Sequence, residues 1–181
     1  MKIISGKYKG RSLDGFHIQG TRPTMDRVKE SVFAMIQSKI PDAVVLDLFA
    51  GSGNLGIEAL SEGAKTVYFV DKSKICYQTI LKNLKQLDIK LNTVFLLDYS
   101  KALELFFKEK ISFDIIFLDP PYQTDLVEKS IFMIDRLSLL SLNGILVVET
   151  DDLEKLIFPS HLEVVKSKKY GDKWVAILRQ V

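Results

Sequence analysis

The stretch FLDPPYQ, residues 117–123, sets a carboxylate, two ring-locked backbones and an aromatic face directly after the apolar run ISFDIIF. Asp119 and the carbonyl of Pro120 offer two hydrogen-bond acceptors. Pro120 and Pro121 fix φ and bring no competing N–H, so that carbonyl is held in place. Tyr122 adds a ring on which a planar base can stack. Such a set would suit an exocyclic amine on a nucleobase. The lone pair of that nitrogen is delocalised into the ring, which makes it a poor nucleophile. Accepting both of its N–H groups draws it toward tetrahedral geometry, and a carboxylate eases removal of the proton as a new bond forms. The chemistry implied is attack on a methyl carried by a sulfonium, with the base out of its helix or loop. The plain structural alternative is a proline-rich strand exit with a helix-capping Asp.

A second constellation lies upstream. In LDLFAGSGNLGIEAL, residues Gly51, Gly53 and Gly56 fit G-x-G-x-x-G between a strand and a helix. Glycines there permit a tight turn and a close backbone approach to a ligand. Asp71 closes the next strand, placed to accept both hydroxyls of a ribose. This fingerprint fits a nicotinamide dinucleotide or S-adenosylmethionine. Asp47, in the last turn of the first strand, favours the latter: a carboxylate beside the loop repels a pyrophosphate and suits an ammonium and a sulfonium. Asp98 ends the third strand, where an adenine amine could donate to it or where it could cap a helix. Asp47, Asp71, Asp98 and Asp119 thus close or follow four successive strands.

Alternation of apolar runs with amphipathic segments supplies the elements that position these acids. A helix is expected over about Met25–Lys39, with Thr24 as N-cap and Asp26 in its first turn. Then AVVLDLF, TVYFV, NTVFLL, FDIIFL and GILVVET read as strands, separated by helices in NLGIEALSEG, SKICYQTILKNLKQL, SKALELFFKEK and TDLVEKSIFMIDRLSLL. Repeated β-α-β with continuously apolar strands implies a doubly wound, Rossmann-like α/β sheet of about seven strands. LEVVKSKKYGDKWVAILRQ reads as an antiparallel hairpin closing one edge, and the first residues as short strands and loops. Ligands of such sheets bind beyond the carboxyl ends of the strands.

The 181 residues, 47% hydrophobic and 27% charged, suit one domain over 1–181: a basic extension and helix over 1–40, then a catalytic core over 41–181. The chain start, MKIISGKYKGR, lacks the apolar stretch of a signal peptide, and no run approaches a membrane span, so a cytoplasmic location is expected. One cysteine, Cys76, and two distant histidines exclude an internal disulfide and leave no metal site to expect. Net charge is only +2. Its distribution is more telling: Lys2, Lys7, Lys9, Arg11, Arg22, Arg27 and Lys29 crowd the first thirty positions against Asp14, Asp26 and Glu30. That is either a solvated surface or an arm that meets phosphates.

VLDLFAGSGNLGIEALSEGA together with FLDPPY resembles class I S-adenosylmethionine-dependent amino-methyltransferases. KIISGKYKGRSL, TRPTMDRVKESVF and the closing YGDKWVAIL narrow the resemblance to the RsmD family, the 16S rRNA guanine-966 N2-methyltransferases. The resemblance implies S-adenosylmethionine as cofactor. Gly51 and Gly53 would line its methionine end, Asp71 its ribose and Asp98 its adenine, with Asp47, Phe49, Ala50, Lys72 and Tyr99 completing the cofactor contacts. Asp119, Pro120, Pro121 and Tyr122 would hold the guanine. Lys7, Lys9, Arg11, Arg22, Thr24 and Arg27 would face 16S rRNA within a small ribosomal subunit or its assembly intermediate, the enzyme acting as a monomer. Some positions depart from the pattern: Ser5 for glycine, Lys9 and Lys29 for arginine, Met25 for a small polar residue, and Lys173 for threonine. Lysine keeps the charge of arginine and loses its bidentate geometry.

Other functions fit less well. An N6-adenine amino-methyltransferase acting on DNA or another RNA would share the chemistry, although a DNA reader needs a recognition element for which this chain has little length. A cytosine-C5 enzyme needs a nucleophilic cysteine near the base, and Cys76 is expected in mid-helix as a core filler. A nicotinamide oxidoreductase needs a proton-transfer His or Tyr, for which His161 at an edge strand is a poor candidate. A non-catalytic RNA-binding module would not need the complete D-P-P-Y. His17 is expected on the surface, Tyr170 and Trp174 in packing, and Glu149, ending the fifth strand, without a role.

Overall fold

Five apolar segments too short for helices, each followed by an amphipathic one, leave a parallel sheet as the arrangement that satisfies their backbones. The computed structural model describes residues 1–15, 22–121 and 125–181, with residues 22–25 described for backbone only. Its elements run α1 (Arg22–Ile36), β1 (Val44–Asp47), α2 (Asn54–Ser61), β2 (Thr66–Asp71), α3 (Lys74–Gln86), β3 (Val94–Leu96), α4 (Tyr99–Lys108), β4 (Phe113–Leu118), α5 (Leu126–Arg136), β5 (Leu140–Thr150), β6 (Leu162–Tyr170) and β7 (Lys173–Gln180). A 3-10 turn, Gln37–Lys39, extends α1. The seven strands lie in the order β3-β2-β1-β4-β5-β7-β6. Strands β1 to β5 are parallel, and β7 pairs antiparallel with both β5 and β6. From β1 the chain winds outward to β3, then returns to β4 on the other side of β1. The switch point therefore lies between the carboxyl ends of β1 and β4.

Successive side chains of a strand point to opposite faces, and the core divides accordingly. On one face Val45, Phe69, Phe117, Val147 and Ile177 pack with Val32, Phe33 and Ile36 of α1, Ile57 of α2 and Ile80 of α3. On the other, Leu46, Val70, Ile116, Val148 and Leu178 pack with Leu103 and Phe106 of α4 and Ile131 and Ile134 of α5. Ile3 and Leu13 of the N-terminal segment belong to the first cluster, so this segment is anchored on the core rather than free of it.

Several details differ from the sequence-based expectation. Helix α1 begins at Arg22, which places Thr24 inside it rather than at its cap and Asp26 beyond the first turn. Pro23 allows the earlier start, since first-turn N–H groups have no partner within the helix. The N-terminal segment forms one antiparallel bridge, Lys2 with Ser12, in place of short strands. Strand β5 starts at Leu140, before Gly144. Cys76 stands in the first turn of α3, half-buried, its N–H donated to the capping Ser73 hydroxyl. His17 lies outside the described residues. No described helix is long and apolar enough to cross a membrane.

Candidate active site

The β1–α2 loop is built from two carboxylates and two glycine constraints. The buried Asp47 accepts the N–H of Gly56 at 2.9 Å, which ties the end of β1 to the first turn of α2. Asp71 accepts the N–H of Gly51 at 2.9 Å through one oxygen and the N–H of Ser73 at 2.8 Å through the other. Gly53 sits at φ +81°, a left-handed conformation that disfavours any side chain. At Gly56 a Cβ would come within 2.3 Å of the Phe69 ring, so only glycine lets α2 lie this close to β2. Phe49 and Tyr99 pair with ring centroids 5.7 Å apart. Ala50 is buried, while Lys72 is exposed. Asp98 is the N-cap of α4, accepting the N–H of Ser100 at 3.0 Å and its hydroxyl at 2.7 Å.

The acids at the strand ends share a face. Asp47, Asp71 and Glu149 lie two residues beyond Val45, Phe69 and Val147, and Asp119 two beyond Phe117; alternation directs them to the side covered by α1, α2 and α3. Across the sheet the row reads Asp71, Asp47, Asp119, Glu149. Burial pushes the Asp47 carboxyl up to about 7, opposed by its Gly56 hydrogen bond and reinforced by the charges of Asp119 and Asp71. Burial also raises Asp119, and the Lys173 ammonium pulls it back. Glu149 is pushed up to about 8, by burial first and then by Asp119 and Asp151. The row therefore penalises further negative charge and favours a cation. Two oxygens of Asp71, each with acceptor capacity left after one N–H, also suit a diol. These residues fit S-adenosylmethionine, which carries an ammonium, a sulfonium and a ribose, better than a pyrophosphate.

Pro120 is buried and Pro121 exposed beside Asp119 at the β1/β4 switch point; Tyr122 lies outside the described residues. Among the basic positions, Lys7, Lys9, Arg11 and Arg27 are exposed. Arg11 donates to the carbonyl of Gln86 at 2.9 Å, and the Lys7 ammonium lies over the Tyr8 ring. The side chains of Arg22 and Thr24 fall outside description. Lys29, counted with the arm in sequence, is instead buried, with its ammonium 2.7 Å from a Glu58 carboxylate oxygen and 2.8 Å from both the Lys2 carbonyl and the Asn54 side chain. Burying that charge is possible because Glu58 lies on the core side of α2. Tyr170 packs against the core and its hydroxyl meets that of Ser31, while Trp174 is half-buried under the Lys169 ammonium.

Some residues around the site escaped sequence reasoning. Glu58 also accepts the N–H groups of Ile4 and Ser5, and Asn83 bridges Asp14 to the Ser52 carbonyl of the glycine loop. Their signal was a polar residue on an apolar stripe: Glu58 beside Ile57 and Ala59, and Asn83 beside Ile80 and Leu84. Glu149 and Lys173, which meet through their charged ends, gave no such signal. A surface depression lined by Leu84, Lys85, Asp88 and Leu91 lies past the C-terminus of α3, at the amino end of the strands and away from the acids. Among the described residues no group of acids, histidines and cysteines is arranged to hold a metal ion.

The family described as Conserved hypothetical protein 95 matches residues 1–179. YlbH of Bacillus subtilis is 41% identical over 182 residues, covering 99% of each chain. Ribosomal RNA small subunit methyltransferase D of Haemophilus influenzae is 37% identical over 174 residues, covering 94% of this chain and 89% of that one. The solved structure of Escherichia coli yhhF superposes with a TM-score of 0.85 at 30% identity, covering 99% of this chain and 97% of the other. With the glycine loop, the acid row and the D-P-P motif in one Rossmann-like sheet, the chain belongs to this family, the RsmD family of methyltransferases.

Proposed function

We propose that this protein transfers a methyl group from S-adenosylmethionine to the exocyclic N2 amine of a guanine in small-subunit ribosomal RNA. One observation supports the reading most: the glycine loop follows β1 and the D-P-P segment follows the adjacent β4, so both stand at the switch point where such sheets bind ligands. The names of the relatives, ribosomal RNA small subunit methyltransferase D among them, support rRNA as substrate. The N2 amine and guanine rest on the resemblance and on the two acceptors.

When bound, S-adenosylmethionine supplies an electrophilic methyl on sulfur. The chain supplies the rest. Asp71 holds the ribose hydroxyls, and Asp47 favours the cationic end beside Gly51 and Gly53. Phe49, Ala50, Lys72, Asp98 and Tyr99 border the adenosine. Asp119 accepts one N–H of the amine and the Pro120 carbonyl the other. Asp119 would ease removal of the amine proton as the methyl passes from sulfur to nitrogen, the S–C bond breaking as the N–C bond forms, and Tyr122 would stack on the base. Most of the acceleration comes from alignment and from prepositioned charge. Residues 1–40, with Lys7, Lys9, Arg11, Arg22, Thr24 and Arg27, face RNA phosphates, and the chain acts as a cytoplasmic monomer without metal.

The test is methyl transfer from labelled S-adenosylmethionine to small subunits from cells lacking the protein, with the modified nucleoside identified by mass spectrometry. N2-methylguanosine at a single site is expected. Asp119→Ala is expected to lose turnover while keeping cofactor affinity within a few fold. N6-methyladenine, or label confined to added DNA, would overturn the guanine assignment and favour the alternative amine.

A further inference from the structure

An acid that must be ionised to ease removal of an amine's proton stands badly placed in a row of other acids. Asp119 has Asp47 on one side and Glu149 on the other, and burial adds to the cost of its charge. The row ends in a cation. In the register Leu118 pairs with Val148, which puts Asp119 beside Glu149. Glu149 faces Val175 across the β5–β7 pair, so Lys173, two residues from Val175, lies on the same face. The Lys173 ammonium meets a Glu149 carboxylate oxygen, and the two side chains retain 30% and 19% exposure.

We propose that Lys173 is a positioning residue for methyl transfer: from the start of β7 it closes the row of acids with a cation beside Glu149 and Asp119, so that Asp119 can stand as a carboxylate and ease removal of the proton from the target amine. This rests on the reading of Asp119 given above. Among the described residues, the charged groups that act on Asp119 or are acted on by it are Lys173 on β7, Glu149 at the end of β5, itself raised by Asp151, and Asp47 on β1. Helix α1, which covers this face, carries Arg22, whose side chain lies outside description, and Asp26, Arg27, Lys29 and Glu30. Of these Lys29 is committed to Glu58, while Arg27 and Glu30 are exposed. Among the described residues Lys173 lowers the Asp119 carboxyl, and Asp119 in turn raises the Lys173 ammonium against its burial. One cation shared by two carboxyl groups sustains one carboxylate. Asp119 and Glu149 compete for that cation as one coupled pair, burial raising both, and the register that sets Asp119 beside Glu149 brings it within the field of the ammonium that Glu149 holds.

A lysine that merely staples the hairpin to β5 would affect folding or RNA affinity uniformly across pH. A lysine that holds Asp119 ionised sets the acid limb of the pH profile. The experiment is kcat/KM for small subunits against pH, at saturating S-adenosylmethionine, for the wild type, K173M, K173R and the double variant E149L/K173M, with D119N as reference. The double variant removes both ends of the pair and leaves neither charge without its partner, which guards against misfolding of K173M. In K173M and in the double variant the acid limb is expected to rise by about one pH unit, the lower end of the effect of a close opposite charge. K173R is expected to restore it. An acid limb that stays in place in both lysine-free variants, with D119N inactive, would overturn the role of Lys173 alone. A D119N enzyme with normal turnover would remove Asp119 from the chemistry and this inference with it.

Discussion

Lys29 and Lys173 each meet a glutamate, yet the surroundings of the two pairs differ. Around Lys29 and Glu58, at 2% and 0% exposure, the partners are complete: the Lys2 carbonyl and Asn54 take the ammonium, and the N–H groups of Ile4 and Ser5 fill the carboxylate. Around Lys173 and Glu149 charge is in excess, since Asp119 and Asp151 act on the same few atoms. The first pair is neutral and enclosed, and it joins the N-terminal segment to α2. The second is open at the strand ends, and its burial and repulsion displace the titration of its members. A closed pair fixes structure; an open, overcharged one holds groups in states that a substrate can use.

The largest effect expected from this contrast is on stability at the closed pair. Glu58→Ala leaves the buried Lys29 ammonium without its counter-charge, held only by the neutral Lys2 carbonyl and Asn54 side chain, and removes the acceptor of two backbone N–H groups. Breaking a buried pair on one side costs about 3–5 kcal/mol. Denaturant unfolding is expected to show that loss, and hydrogen exchange at Ile4 and Ser5 to rise with it. A loss under about 1 kcal/mol, of the size of an exposed pair, would erase the distinction between the two lysines.

The next effect concerns the acid row. Asp47 is buried and its carboxyl titrates at about 7, against an ordinary value of 3.8 in the unfolded chain. A folded value raised above the unfolded one means that the folded state binds the extra proton between these limits. The contribution of Asp47 to stability is therefore full below 3.8 and is lost as pH rises through about 7, with a slope of at most about 1.4 kcal/mol per pH unit. Asp47→Asn keeps an acceptor for the Gly56 N–H and cannot ionise. Relative to the variant, the wild type is expected to lose stability between pH 5 and pH 8, as measured by urea unfolding at both values. Parallel pH dependences would show that Asp47 is not strained by its burial. Above about pH 7, where the Asp47 carboxyl is ionised, the same substitution is expected to weaken S-adenosylmethionine binding several fold, because it removes a charge facing the cationic end.

Much of this was legible in the sequence, and for identifiable reasons. Runs such as FDIIFL and TVYFV are short, apolar on both faces and followed by amphipathic helices, so the sheet, its parallel direction and the terminal hairpin could be read from local pattern. Asp47, Asp71, Asp98 and Asp119 could be placed at strand ends because each ends such a run. What could not be read depended on which face of a helix turns inward. Lys29 looked like its neighbours in a basic arm, and only the packing of α1 over β1 and β4 brings it to Glu58. Lys173 stood out only as a departure from threonine, because its partner Glu149 is far away in sequence and adjacent in register. The start of α1 was missed because Thr24 reads as a cap, while Pro23 fits a first turn equally well.

The smallest effect separates Arg27 from Lys29, two residues apart on α1. Arg27 is exposed, and Ser31, one turn later on the same side, holds the Tyr170 hydroxyl and the Lys168 ammonium from the hairpin. This side of α1 therefore continues into the lysines of β6. Arg27→Ala is expected to weaken binding of small-subunit RNA a few fold and to lower the slope of log affinity against log salt by about 0.7–0.9, the release of one phosphate's counterion. Lys29→Met paired with Glu58→Leu removes a charge nearly as close in sequence, but one that never reaches the surface, so the slope is expected to stay at the wild-type value wherever the double variant folds. Equal slopes for Arg27→Ala and the wild type would return this side of α1 to an ordinary solvated surface. A fall in slope for Arg27→Ala alone would mark exposure, rather than position in a basic stretch, as what assigns a cation to RNA.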